Sequence, residues 1–277
     1  MMTKTYKIFF AIYILSFIAF SHAKAHEFPF VDANPLYVGS RPLAMGNTFT
    51  AIADEGEAGF WNPAGLIQWQ GVKLFASTKA GDRDNYAFDS KSMAYSYKGN
   101  AFFWGNKIAT RGIKCETPDF TYYSLARKLS SHLAVGGSVK FKRKHPSSYY
   151  QFFGHNPSYD LGLLWKIGNY TSLSLVLQNT PDSDKWINTT NFGLAQRLFN
   201  DLLLSIDTGI TSDESVSLET HVGSEYWFTS WSAIRLGLSN SDPTAGLGLR
   251  LSRIQIDYAW IRNSAGNAHF ISGQIDI

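Results

Sequence analysis

The residues in this sequence that could do covalent chemistry are spaced so that they do not meet. G-x-S-x-G, the phosphate-cradling G-x-x-x-x-G-K-[ST] and the zinc-binding H-E-x-x-H are all absent. Gly246-x-Gly248 opens like a dinucleotide fingerprint, but position 251 is Leu and no strand-to-helix context surrounds it. His269 and Ser272 are three apart on an extended run, which turns a would-be base and nucleophile to opposite faces. His145 and His155 share a loop with no further ligand beside them. The single cysteine, Cys115, excludes an internal disulfide and a Cys-based zinc site, and reads as an incidental thiol. No catalytic residue, metal or cofactor is predicted.

Other clusters suit binding. Asp54, Glu55 and Glu57 stand just before Asn62-Pro63-Ala64-Gly65, where Pro63 suits the second position of a tight turn and Gly65 is free to take positive φ. The three acids read either as a solvated or Arg-paired segment or as a latch onto cations such as Arg235 and Arg250. Lys142, Arg143 and Lys144, with Lys140, form a basic run that leads into a loop carrying Tyr149-Tyr150 and Phe152-Phe153. The aromatic pairs either pack onto neighbouring structure or present an apolar capture surface for a hydrophobic ligand.

The elements that position these groups follow from periodicity. Lys4 and Lys7, the apolar stretch Ile8 to Phe20 and the small residues of Ala23-Lys24-Ala25 make residues 1–25 a secretory signal peptide. Beyond it no apolar run approaches the ~18 residues of a membrane helix, which excludes a polytopic helical protein. With 15% aromatic residues the chain is not disordered, and a net charge of +3 is too mild to point to nucleic acid.

From Lys73 onward fourteen runs of strand character begin, near Lys73, Lys91, Asn100, Asp119, His132, Ser158, Tyr170, Thr190, Leu202, Val216, Trp231, Thr244, Ile254 and Ala268. Ile254, Ile256, Tyr258 and Trp260 share one face, Gln255, Asp257 and Ala259 the other; Ile234, Leu236 and Leu238 oppose Arg235, Gly237 and Ser239. Connections alternate: tight at Gly99-Asn100, Ser130-Ser131, Gly168-Asn169, Asn200-Asp201, Thr229-Ser230 and Ser252-Arg253, longer around 80–90, 107–118, 143–157, 179–189, 211–215, 240–243 and 263–267. A sandwich has no reason to sort loop length by strand parity; an outer-membrane barrel does. The charges Lys140, Asp160, Arg197, Asp207, Arg235, Arg250 and Asp257 all lie opposite the Leu/Ile face, so that face is assigned to lipid and the interior is polar. The basic run then lies at the outer rim, either simply solvated or touching phosphates of lipopolysaccharide.

Residues 26–72 are too broken by Pro and Gly to span a bilayer, which leaves a periplasmic extension or a plug in the lumen. Here the stretch Gly39-Ser40-Arg41-Pro42-Leu43-Ala44-Met45-Gly46, running through Ala53-Asp54 to Trp61-Asn62-Pro63-Ala64-Gly65, resembles the long-chain fatty-acid transporter (FadL-like) superfamily, in particular its PorV/PorQ-type branch. The last strands resemble the family more loosely. The resemblance implies an all-β fold, a 14-stranded transmembrane antiparallel barrel over 73–277 with an N-terminal plug (hatch) over 26–72. It implies a passive outer-membrane conduit for hydrophobic, fatty-acid-like molecules, gated by the plug and not an enzyme. It equally implies a PorV-like interaction protein working with type IX secretion or surface-protein assembly.

Overall fold

The structure, a computed structural model, describes residues 38–80, 88–107, 120–142, 155–182, 185–212, 216–263 and 266–277. The expected signal peptide, the first part of the expected plug, Cys115, Arg143, Lys144, His145, Tyr149, Tyr150, Phe152 and Phe153 lie outside the described residues.

Fourteen strands pair each with the next in the chain, and the first closes on the last, giving an antiparallel meander sealed into a barrel. In order they are β1 Gly71–Lys79, β2 Ser90–Tyr97, β3 Asn100–Lys107, β4 Phe120–Lys128, β5 Leu133–Lys142, β6 His155–Ile167 and β7 Thr171–Asp182, then β8 Lys185–Leu198, β9 Leu202–Ser212, β10 Val216–Trp227, β11 Ser232–Ser239, β12 Asp242–Leu251, β13 Ile254–Asn263 and β14 Gly266–Asp276. Closure removes the exposed edges that an open sheet would leave. The tight turns fall where turn residues predicted them: Lys98 and Gly99 both take positive φ (49° and 76°), the backbone of a two-residue hairpin whose twist matches its strands.

The other end departs from expectation. Three long connections are present, 80–89, 108–119 and 143–154, but the later ones shorten to 183–184, 213–215, 240–241 and 264–265. In the expected loop 179–189 the β7–β8 ladder continues through Asn179↔Asn188 to Asp182↔Lys185. Asn179 donates to Asn188 at 2.7 Å and Asn191 to Gln178 at 3.0 Å. Polar residues on both faces erase the alternation by which a strand is recognised, so this extension was hidden.

Strand parity decides the faces. Arg235 is 1% exposed and its neighbour Leu236 is 59% exposed. Inside, residues 38–70 occupy the barrel interior as two short helices, α1 Ser40–Ala44 and α2 Ala58–Trp61, and a 3-10 turn over Pro63–Gln68. The main apolar cluster forms between this segment and the barrel wall rather than between two layers: Phe49, Phe60, Trp61 and Leu66 pack with Phe75, Phe103, Phe120 and Tyr122.

Candidate functional site

The interior segment is held differently on its two sides. On the β1–β6 side the contact is mainly apolar, joined by hydrogen bonds from Ser92 Oγ to Gly56 O and from Asn62 to the Leu163 carbonyl. Phe60 meets Phe103 and Tyr122 edge-on, with ring centroids 5.0 and 4.9 Å apart, an arrangement favoured by the quadrupoles of the rings. On the β7–β14 side the segment hangs on hydrogen bonds. The backbone N–H groups of Phe49 and Thr50 both donate to Asp207 Oδ2 at 2.9 Å. Thr48 pairs with Ser205 at 2.5 Å and Thr50 with Ser174 at 2.8 Å. Ser40 N–H donates to Ser272 Oγ, and Thr244 Oγ1 donates to the Ala44 carbonyl. A short irregular segment has many backbone groups without helical partners, and inward Ser, Thr, Asp and Gln side chains satisfy them. An apolar patch, Leu43 and Ala44 against Ala259, Ile261, Ala268 and Phe270, interrupts this polar side under α1.

Each residue of Asn62-Pro63-Ala64-Gly65 has a structural reason. Asn62 Oδ1 accepts from Ala64 N–H at 3.0 Å, capping the 3-10 turn, while its Nδ2 donates to Thr50 O at 2.8 Å and Leu163 O at 3.2 Å. One side chain thus ties the turn to the neighbouring loop and to β6. Pro63 opens the 3-10 turn, where a missing N–H costs nothing. Ala64 packs against Ala134 and Leu164. Gly65 does not take positive φ. It is glycine because a Cβ would collide with Ala53 O, so the expected reason, backbone freedom, gives way to space.

The acidic residues meet a cation within the segment itself. Arg41 Nη1 lies 2.6 Å from Asp54 and 2.9 Å from Glu55, and its Nε and Nη2 grip Glu225 of β10 at 2.6 and 2.8 Å. Arg235 bridges Glu225 and Asp257, both at 2.7 Å. Gln255 Nε2 donates to Glu55 at 2.6 Å and Asp257 at 2.9 Å, which closes a ring: Arg41, Glu225, Arg235, Asp257, Gln255, Glu55. The expected pairs of Asp54, Glu55 or Glu57 with Arg235 or Arg250 are not among these bonds. Arg235 is spent on two barrel carboxylates, and the segment's own Arg41 reaches across to Glu225 instead. Arg250 sits at the tight-turn end, exposed, donating to Gln255 Oε1 at 3.0 Å and lying over the Trp227 ring at 4.3 Å.

Among the other predicted residues, Lys142 ends β5. His269 points outward and bonds the Tyr258 hydroxyl, while Ser272 points inward to α1, so the two stand on opposite faces. The residues missed from sequence are Arg41, Glu225 and a set of inward glycines. Side chains at Gly136 and Gly162 would strike Pro63 and Asn62, and at Gly223 and Gly237 would strike Met45 and Gly46. Their inward parity on otherwise side-chain-bearing strands was the available signal: a strand glycine marks close backbone approach.

No protein-family model matches the chain, and no curated protein matches it in sequence. Among solved structures it is similar to a deltaS2S3 mutant of the TodX monoaromatic hydrocarbon channel, with TM-score 0.54 and 13% identity over 86% of this chain and 99% of that one. It is similar to the deltaS2 mutant of the same channel at TM-score 0.56 and 12% identity, over 86% and 98%. The toluene transporter TodX of P. putida gives 0.52 and 12%, again over 86% and 98%. At this identity the likeness shows the fold alone, a closed antiparallel barrel.

Proposed function

We propose that the protein is a bacterial outer-membrane conduit through which apolar small molecules, fatty-acid-like or monoaromatic, pass by diffusion when residues 26–72 act as a displaceable plug. The observation that carries this reading is the two-sided seat of the interior segment: aromatic contact on β1–β6, hydrogen bonds and ion pairs on β7–β14. An apolar molecule competes with Phe60 for Phe103 and Tyr122, while the polar side keeps the segment attached and Asn62 to Gly65 brace it on β5 and β6. Binding and displacement suffice, and no covalent step is needed. The named channel function of the structural neighbours supports the cargo class.

The outward Leu, Ile and aromatic residues supply the apolar surface that a bilayer requires. In this reading residues 1–25 direct export, the tight turns face the periplasm, and Lys142, Arg143 and Lys144 lie within reach of lipopolysaccharide phosphates. In the same reading Tyr149, Tyr150, Phe152 and Phe153 are the residues that capture the apolar molecule. The test is uptake of labelled toluene and of a long-chain fatty acid by lipopolysaccharide-bearing cells with and without the protein. Uptake of at least one should rise severalfold with no rise for a sugar of similar size. No rise, or equal leakage of the sugar, overturns the reading. A stable protein partner copurifying from native membranes without a bound ligand would favour the PorV-like role in type IX secretion.

A further inference from the structure

Glu57 has a surrounding that the conduit reading does not use. It is 1% exposed, and its carboxyl oxygens meet no hydrogen-bond partner from another described residue, only its own backbone N–H. Gly39 backs directly onto it, where a Cβ would stand 2.6 Å from Oε1. The charges that act on it are Glu55, Asp257 of β13 and Arg41 of α1, and through Arg41 and Asp257 it borders the ring that also holds Asp54, Glu225 of β10 and Arg235 of β11, with Arg250 of β12 behind Gln255. Five carboxyls, Asp54, Glu55, Glu57, Glu225 and Asp257, thus draw on the two guanidinium groups of Arg41 and Arg235. Asp54 reaches solvent, but ionising the four buried carboxyls beside only two guanidinium groups would strand negative charge away from water, and proteins resolve such an excess by keeping a group neutral. Asp54, Glu55, Glu225 and Asp257 each hold an arginine. Glu57 holds none.

We propose that Glu57 is a proton-binding site: with the segment seated, Glu57 is the neutral acid, and withdrawal of the segment toward solvent releases that proton. Burial, then the charge of Glu55, holds its carboxyl well above the usual carboxylate range against its own backbone N–H and, more weakly, Arg41. Burial likewise lifts Glu55 to about 7, against Arg41 and with the help of Asp257. A carboxyl raised in the seated state stabilises that state fully below its ordinary value near 4.5, and the contribution is lost as pH rises through about 7. The seat is therefore tighter in mildly acidic medium and looser in alkaline medium. The proton site stands on the geometry alone; its coupling to opening rests on the conduit reading.

Infrared spectroscopy of the folded full-length protein at about pH 6 reads the C=O stretch of protonated carboxyls. Glu55 contributes to the same band, so the expected result is a wild-type band that loses one carboxyl's intensity in Glu57→Gln and keeps the rest, with the barrel still closed. No such band in the wild type, or one undiminished in the variant, overturns the site. Planar-bilayer conductance reads the coupling. As pH rises from about 4.5 the wild-type open-to-closed ratio should climb, by at most about tenfold per pH unit for each released proton, while Glu57→Gln climbs less, keeping only the Glu55 contribution that ends near 7. An identical pH response in both proteins overturns the coupling. Failure of toluene or fatty-acid uptake would leave the infrared result intact, so the two readings fail separately.

Discussion

Arg41 is the one residue of the interior segment that grips a barrel carboxylate with two nitrogens, Nε and Nη2 on Glu225. Removing one partner of a buried pair costs about 3–5 kcal/mol because the other charge is left behind. Here Arg235 still holds Glu225, which places Arg41→Ala near the lower end, about 3 kcal/mol against docking of the segment. Arg250→Ala removes an exposed group bound to Gln255 and should cost below about 1 kcal/mol. Limited proteolysis of residues 38–70 in the detergent-solubilised barrel measures both: cleavage of the Arg41 variant should rise by about two orders of magnitude, and that of the Arg250 variant should hardly change. The residue types of this site were legible, since a stretch with three acids asks for a cation. The identity of the cation was not. Arg41 and Glu225 are 184 positions apart, and no local pattern couples them.

At the scale of elements, the Asn-Pro-Ala-Gly turn and the wall it leans on are built for each other. Gly162 of β6 has no room for a Cβ because Asn62 Oδ1 and Pro63 already stand there. Gly162→Ala should therefore cost about 1–3 kcal/mol by overpacking. Gly137 of β5 has only ordinary contacts, 3.5 Å or more, at its would-be Cβ. Gly137→Ala should stabilise the barrel by about 0.4–1 kcal/mol through the unfolded chain. The same proteolysis assay and a denaturant titration separate the two outcomes. Strands and tight turns were legible because pleat and turn chemistry are local. The extension of β7 and β8 was not, because Asn, Thr and Gln on both faces carry no period.

For the whole molecule, the outward face is the condition for residence in a bilayer. Leu236 lies mid-strand on β11 and points out. Leu236→Arg should cost about 2–4 kcal/mol in lipid vesicles, and Ile254→Arg at the end of β13 no more than about 1 kcal/mol, both read by urea titration of refolded protein. What the sequence determined by itself was everything that follows from a period of two: the strand number, the inward and outward sets, and the antiparallel meander of an all-β barrel. What only the tertiary structure decided is the content of the lumen. Closing β1 on β14 brings residues 38–70 against strands from both ends of the chain, and the partners of Arg41, Asn62 and Glu57 depend on the stagger of that closure. Local periodicity says which way a side chain points. It does not say what stands opposite.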